Sequence, residues 1–311
     1  MITSGGFVIK AAKELKPCYR LSPVSATSVA KNRNLPESGL IDDYFNGRFG
    51  HNYYYTLNGR SAIGEALKDI GITKNAKVAI LTTSGNRYIS RCVTDEIEKY
   101  CKWTRNPEEA TGAILVNHEF GFPYSNLVSL KKYGLPLIED CAYSFFSTDK
   151  YGQTGKAGDY IVYSFPKIFP VQCGGLLVSK KELKNPPEME VGLKSYLRKV
   201  LSYYIMESET IKKKRLLNSE TLEKKLGEMG FSPRFECNDA VIPGVFLFNT
   251  NGVINDHEEL KKFMQDEGVE CSVFYGEEAF FIPVHQNLCD DDLDYFCELL
   301  RIFIQGGYDN I

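Results

Sequence analysis

Short apolar runs separated by segments of helical spacing fill the first two thirds of the chain. Lys77 to Leu81, Ala113 to Val116, Pro136 to Ile138, Tyr160 to Tyr163 and Leu176 to Val178 are each three to five residues long. That length and content suit buried strands. Ile89 to Tyr100 and Asn126 to Lys132 are helical in character. Ahead of the first run, Ile63, Leu67 and Ile70 recur at i, i+4 and i+7. They predict a helix over Ser61 to Ile70, with Gly71 placed to end it. Strands alternating with helices predict an α/β domain with a mostly parallel sheet.

The pattern changes after Pro186-Pro187, which reads as a linker. A long helical stretch covers about Val191 to Met229. Strand-like runs follow at Val245 to Phe248 and Val269 to Phe274. A helix lies between them over His257 to Glu267, with Asp256 as its N-cap. A last amphipathic helix covers Leu293 to Gln305. Asp290 to Asp292 precede it, where acidic residues suit the positive end of the helix dipole. Residues 1–36 show weak periodicity. The expected organisation is therefore an N-terminal arm at 1–36 and a large α/β domain at 37–185. A helical connector at 186–234 and a small C-terminal α+β domain at 235–311 complete it.

Composition narrows the partners. The 311 residues are 43% hydrophobic and 25% charged, with a formal net charge of −3. This balance gives no reason to expect nucleic acid. The basic run Lys212 to Arg215 is flanked by Glu207, Glu209 and Glu220 and reads as a solvated helix face. No stretch has the ~18 consecutive apolar residues of a membrane span, and the N-terminus lacks a signal-peptide core. Nine cysteines, an odd number with no CxxC pair, read as free thiols. A cytoplasmic protein without a structural metal is the expectation.

Ligands of open α/β sheets bind beyond the carboxyl ends of the strands. Those ends carry the loop Thr82 to Asn86, then His118, Asp140, Ser164 and Lys167. An acid, a lysine and several hydroxyls thus converge on one sheet edge. Each also has a structural reading. Asp140 and Ser164 suit strand-end turns, Lys167 a surface loop and Arg60-Ser61 an ordinary helix start. His118 and His285 are read as structural.

The order of motifs resembles a known family. Leu137 to Tyr143, Gly158 to Phe165, Lys167 and Gly174-Gly175 are similar to the central segment of the DegT/DnrJ/EryC1/StrS sugar aminotransferases. The segment Val116 to Pro123 resembles that family's HxxGxP-like stretch, and Phe281 to Asp292 its closing one. The resemblance covers roughly Asn58 to Phe303. It implies a fold-type-I transferase using pyridoxal 5′-phosphate (PLP), held by Lys167 as a Schiff base. It also implies glutamate as amino donor, a nucleotide-linked keto sugar as acceptor, and a homodimer. Asp140 would face the pyridine nitrogen, and Ser164 with Gly59, Arg60 and Ser61 would bind the phosphate. Tyr143 stands where the family often has Gln or His near the 3′-oxygen, and Tyr88 is the nearest candidate for ring stacking.

The roles suit the chemistry. A lysine amine can hold the cofactor and shuttle a proton. A carboxylate against the ring nitrogen keeps it protonated. A helix N-terminus suits a phosphate. Three departures from the family pattern concern the ligand contacts. Arg60 follows Gly59 where Thr is usual; Ser164 lies only three residues before Lys167, with Ile168 where Asn is common; and the ring-stacking aromatic has no clear counterpart, Tyr88 being the nearest candidate and Asn86 the alternative. Dehydratase relatives replace the lysine, so Lys167 argues against that branch. A PLP-fold protein used for ligand binding or assembly is the alternative. A nucleotide-binding protein is disfavoured, because no GxGxxG or Walker loop follows the first strand.

Overall fold

The structure is a computed structural model describing residues 18–306. Two helices open it, α1 (Ala26–Arg33) and α2 (Leu40–Phe49), followed by β1 (Tyr53–Thr56) and α3 (Gly59–Ile70). Then come β2 (Lys77–Thr82), α4 (Arg91–Glu98), β3 (Lys102–Thr104), β4 (Ala113–Asn117), β5 (Leu137–Asp140), β6 (Tyr160–Ser164) and β7 (Gly175–Ser179). Helices α5 (Val191–Met206) and α6 (Ser208–Gly227) lead to β8 (Ser232–Pro233), β9 (Phe246–Asn249), α7 (His257–Asp266), β10 (Ser272–Val273), β11 (Ala279–Ile282) and α8 (Asp290–Ile304).

Seven strands form one sheet in the order β1-β7-β6-β5-β4-β2-β3. The pairs from β3 through β6 are parallel, and β7 and β1 close one edge antiparallel. This is the expected α/β architecture. A second, antiparallel sheet has the order β10-β11-β9-β8. It packs with α6, α7 and α8 around Phe248, Leu260, Phe280 and Phe296.

Local signals act as the sequence suggests. Gly71 ends α3 in the left-handed conformation, and Asp256 caps α7 by accepting from Glu259 N–H. Elsewhere the structure differs. The segment 126–132 is expected to be α-helical but winds as a 3₁₀ turn over Leu127–Tyr133. The strand-like run 269–274 pairs as a strand only at Ser272–Val273, with an isolated bridge from Val269 to Tyr19. The long helical stretch divides into α5 and α6 at Glu207. The arm expected at 1–36 contains helix α1, capped by Ser25, while residues 1–17 lie outside the described part. Strand β1 is missed because its Tyr53-Tyr54-Tyr55 carries no alternation. It gains its place by pairing with β7, Tyr55 opposite Leu176.

Candidate active site

The carboxyl ends of β2, β4, β5 and β6 face the same way, as parallel pairing requires. A cavity of about 370 Å³ opens at this edge. Its wall includes Lys167, Asp140, Ser164, Tyr143 and Tyr88, together with Gly59 and Arg60 at the start of α3. Of the residues expected at the site, only Ser61 is not in the wall. Its N–H and hydroxyl both bond the Oδ1 of Asn58, the α3 N-cap, at 2.9 and 3.2 Å. Ser61 thus shapes the helix start from behind.

Asp140 ends β5 and is only 4% exposed. Ala142 N–H donates to its Oδ1 at 3.0 Å and Asn117 Nδ2 to its Oδ2 at 2.8 Å. Burial raises its pKa against the lowering effect of these bonds. A cation placed beside such a carboxyl favours its charged form and lowers the pKa.

Lys167 ends a 3₁₀ turn, Phe165–Lys167, that begins as β6 ends. Its Nζ donates to the Tyr143 hydroxyl at 2.9 Å and lies 4.7 Å from the centre of that ring. Tyr143 also raises the pKa of the Lys167 amine, against the opposing effect of burial. The two residues expected at the cofactor's reactive end therefore already touch. Tyr88 is packed on Phe274, Phe120 and Phe281, with Tyr275 stacked at 6.2 Å.

The third wall is a close approach of backbones. A Cβ on Gly59 would come within 3.2 Å of Ser164 Cβ, so the α3 N-terminus sits against the end of β6. A Cβ on Gly175 would lie 2.6 Å from the Asn58 carbonyl carbon, because β7 passes directly beneath the α3 entry. Gly175 is thus needed to bring the helix start to the cavity. The first-turn N–H groups of a helix have no intrahelical acceptor, and they present positive potential to an anion.

His118 and His285 are structural in place. His118 is buried, with Nε2 3.0 Å from Glu139 Oε2 and Nδ1 accepting from Tyr124 N–H at 3.0 Å. Nε2 therefore carries the proton. Glu139 also accepts from Gly155 and Gly158 N–H at 2.8 and 2.6 Å. Cys141 lies within 4.8 Å of this pair, but burial holds its thiol well above the usual range. The three form a hydrogen-bonded anchor for the loop after β5, in which the carboxylate is already committed. His285 is buried, near Arg215.

Sequence reasoning missed Asn117 as the partner of Asp140, and Glu119 and Cys92 in the wall. Asn117 had a readable signal, since it ends the strand next to the one that ends in Asp140.

The segment from β4 to β7 carries the decisive sequence match. Residues 105–185 match the sequence profile of the DegT/DnrJ/EryC1/StrS aminotransferase family. The resemblance read from the motifs is borne out over this stretch, which holds Asp140, Tyr143, Ser164 and Lys167. No curated protein sequence matches the chain. Among solved structures, an aminotransferase TlmJ from Streptoalloteichus hindustanus superposes with a TM-score of 0.71 at 14% identity, over 91% of this chain and 97% of its own. DesI, solved in the presence of its TDP-sugar product, gives 0.70 at 13%, over 94% and 93%. The PMP-form of the putative sugar aminotransferase Spr1654 from Streptococcus pneumoniae gives 0.69 at 12%, over 94% and 97%. The fold is therefore that of fold-type-I PLP aminotransferases such as those of the DegT/DnrJ/EryC1/StrS family.

The cavity's own chemistry fits PLP. It offers a buried carboxyl, an amine beside a phenol, and a helix N-terminus next to a serine.

Proposed function

We propose that the chain is a PLP-dependent aminotransferase that moves an amino group from glutamate to a keto group of a nucleotide-linked sugar. The observation that carries this reading is the meeting of Lys167 and Asp140 in one cavity, from the ends of β6 and β5. The domain division read from the sequence, arm 1–36, PLP domain 37–185, connector 186–234 and small domain 235–311, is part of this reading, with β8 (Ser232–Pro233) moved to the small domain whose sheet it joins. The acceptor class is supported by the sugar ligand named for DesI and by the family match. A cytoplasmic homodimer is part of the same reading.

Bound in the cavity, PLP supplies an electron sink for the carbon that bears the amine. The residues do the rest. Asp140 would face the ring nitrogen and keep it protonated, and Asn117 and Ala142 hold Asp140. Lys167 Nζ would hold the cofactor and, once the incoming amine has displaced it and left it free, would take and return the proton at the substrate carbon. Tyr143 orients that amine through its hydroxyl. Gly59, Arg60 and Ser164 bind the phosphate, with Ser61 bracing the helix start. Tyr88 lines the ring-facing wall.

The test is the absorbance spectrum of the purified protein with added PLP, for wild type and Lys167→Ala, before and after borohydride. Wild type is expected to show a visible band that borohydride fixes covalently to Lys167, and the variant none. Glutamate should then bleach the wild-type band, and a nucleotide-linked keto sugar should restore it. A wild-type protein that binds no PLP would end the enzyme reading.

A further inference from the structure

The turn that carries Lys167 satisfies its N–H groups locally. Phe165 N–H donates to Gly174 O at 3.0 Å, and Ile168 and Phe169 N–H donate to Phe165 O at 3.0 and 2.8 Å. Its carbonyls are served differently, by side chains remote in the chain. Ser22 Oγ donates to Pro166 O at 2.6 Å, and Arg215 Nη2 to Lys167 O at 3.0 Å. Gln286 Nε2 donates to Ile168 O at 2.9 Å, and Asn32 Nδ2 to Pro170 O at 2.7 Å.

Arg215 is the centre of this arrangement. Its Nε donates to Gln286 Oε1 at 2.8 Å and its Nη1 to Pro243 O at 3.1 Å. One guanidinium on α6 thus ties the lead-in to β9 and the segment after β11 to the carbonyl of Lys167 itself. It is fully buried, and among the described residues its three acceptors are all uncharged. Burial pushes its pKa down to about 10. A cation buried against neutral acceptors costs several kcal/mol, and removing it offsets that cost against about 1–3 kcal/mol for each acceptor left unpaired. What no neutral side chain supplies is a rigid planar fork of donors.

We infer that Arg215 is a positioning residue for Lys167, which it holds through the backbone so that the amine enters the cavity at a fixed place. This rests on Lys167 being the cofactor lysine. A neutral replacement should therefore separate stability from reactivity.

The experiment compares wild type with Arg215→Met as full-length chains. Three quantities are read: the melting temperature, the hydrogen exchange of residues 165–171 without cofactor, and the rate at which PLP forms a borohydride-fixed adduct at Lys167. Expected for Arg215→Met are a melting temperature within a few degrees of wild type, because the relieved burial of charge opposes the acceptors left unpaired, and faster exchange over 165–171. Adduct formation should slow by about tenfold to a hundredfold, the scale of an ångström-sized misplacement. Wild-type adduct rate and exchange in the folded variant would overturn the inference, as would a lower melting temperature with an unchanged adduct rate. If Arg215→Met fails to fold, Gln286→Met releases Ile168 O and the Arg215 Nε. It should slow the adduct by roughly threefold to tenfold on the same scale, and an unchanged rate there overturns the inference. If wild type forms no adduct, the aminotransferase reading fails, while the exchange at 165–171 still decides whether Arg215 holds the turn.

Discussion

The two ends of the cavity are built in opposite ways. Asp140 is held by what lies next to it: its strand, the N–H two residues on, and the last residue of the neighbouring strand. Lys167 sits in a turn whose carbonyls are held by Ser22, Asn32, Arg215 and Gln286, drawn from both ends of the chain. Asp140 is thus fixed by the sheet, and Lys167 by the completed tertiary structure. Damage to the first should show as lost chemistry in a stable protein. Damage to the second should show as a lysine present but misplaced.

The sharpest break in this comparison is Asp140→Asn. It removes a buried carboxyl and keeps the shape of the side chain. Stability should fall only slightly, by about 1 kcal/mol, because one of the two acceptors becomes a donor facing Asn117 or the Ala142 N–H. Turnover should fall by roughly 10²–10³, the cost of losing one preorganised electrostatic partner. Thermal melts and steady-state kinetics on the same preparation check both halves. A large loss of melting temperature would show that the carboxyl is structural.

Glu139→Ala tests the same end one residue earlier. Its carboxylate accepts from Gly155 and Gly158 N–H and pairs with His118. Losing it leaves buried donors unpaired, at about 1–3 kcal/mol for each group. A loss of roughly 3 kcal/mol in urea unfolding is expected. Turnover per folded molecule should change far less than in Asp140→Asn.

The same contrast explains what the sequence discloses. Asp140, Ser164 and Lys167 were legible because strand ends in a parallel sheet are where ligands bind, and five apolar runs locate those ends. The Asp140 contacts are nearly legible too, since they span two residues and one neighbouring strand. The Lys167 clamp was not. Its donors lie up to 144 residues before the turn and 118 after it, and no periodicity links them. Arg215 illustrates the difficulty. It belongs to the basic run 212–215, which reads as a solvated face, yet Arg215 is fully buried. The hydrophobic pattern of α6 hides this, because the residue's function is to be a polar group on the inner face. Likewise β1 has a tyrosine run with no alternation, and only pairing with β7 defines it.

His285 reports on the Lys167 end through pH. Burial, and then the nearby Arg215 charge, lower its pKa to about 3. An unfolded histidine titrates near 6.5. The unfolded chain therefore binds a proton that the folded chain refuses. This contribution is fully present above pH ~6.5 and is lost progressively as pH falls towards 3. At pH 5 it removes about 2 kcal/mol. The melting temperature should fall over this window, and His285→Gln should flatten that part of the curve. Arg215→Met should flatten it partly, because it removes one of the two causes. An identical slope in all three proteins would remove His285 as its source.

Asn117→Ala asks the smallest question and the most discriminating one. It deletes the 2.8 Å bond to Asp140 Oδ2 and leaves the Ala142 N–H on Oδ1. One hydrogen bond to a charged group is worth about 1.5 kcal/mol at the low end, so turnover should fall roughly tenfold. The loss should appear in kcat with KM nearly unchanged, because the bond acts on the cofactor's partner and not on the substrate. Asp140 still cannot move far, since its backbone is paired with Asn117 on one side and Val162 on the other. The Lys167 turn has no such lattice, and its carbonyls are held one by one. Losing one strut at the Asp140 end should therefore cost no more than losing Arg215. If Asn117→Ala proved the more damaging of the two, the locally built end would be the fragile one, and the contrast between the two ends would be reversed.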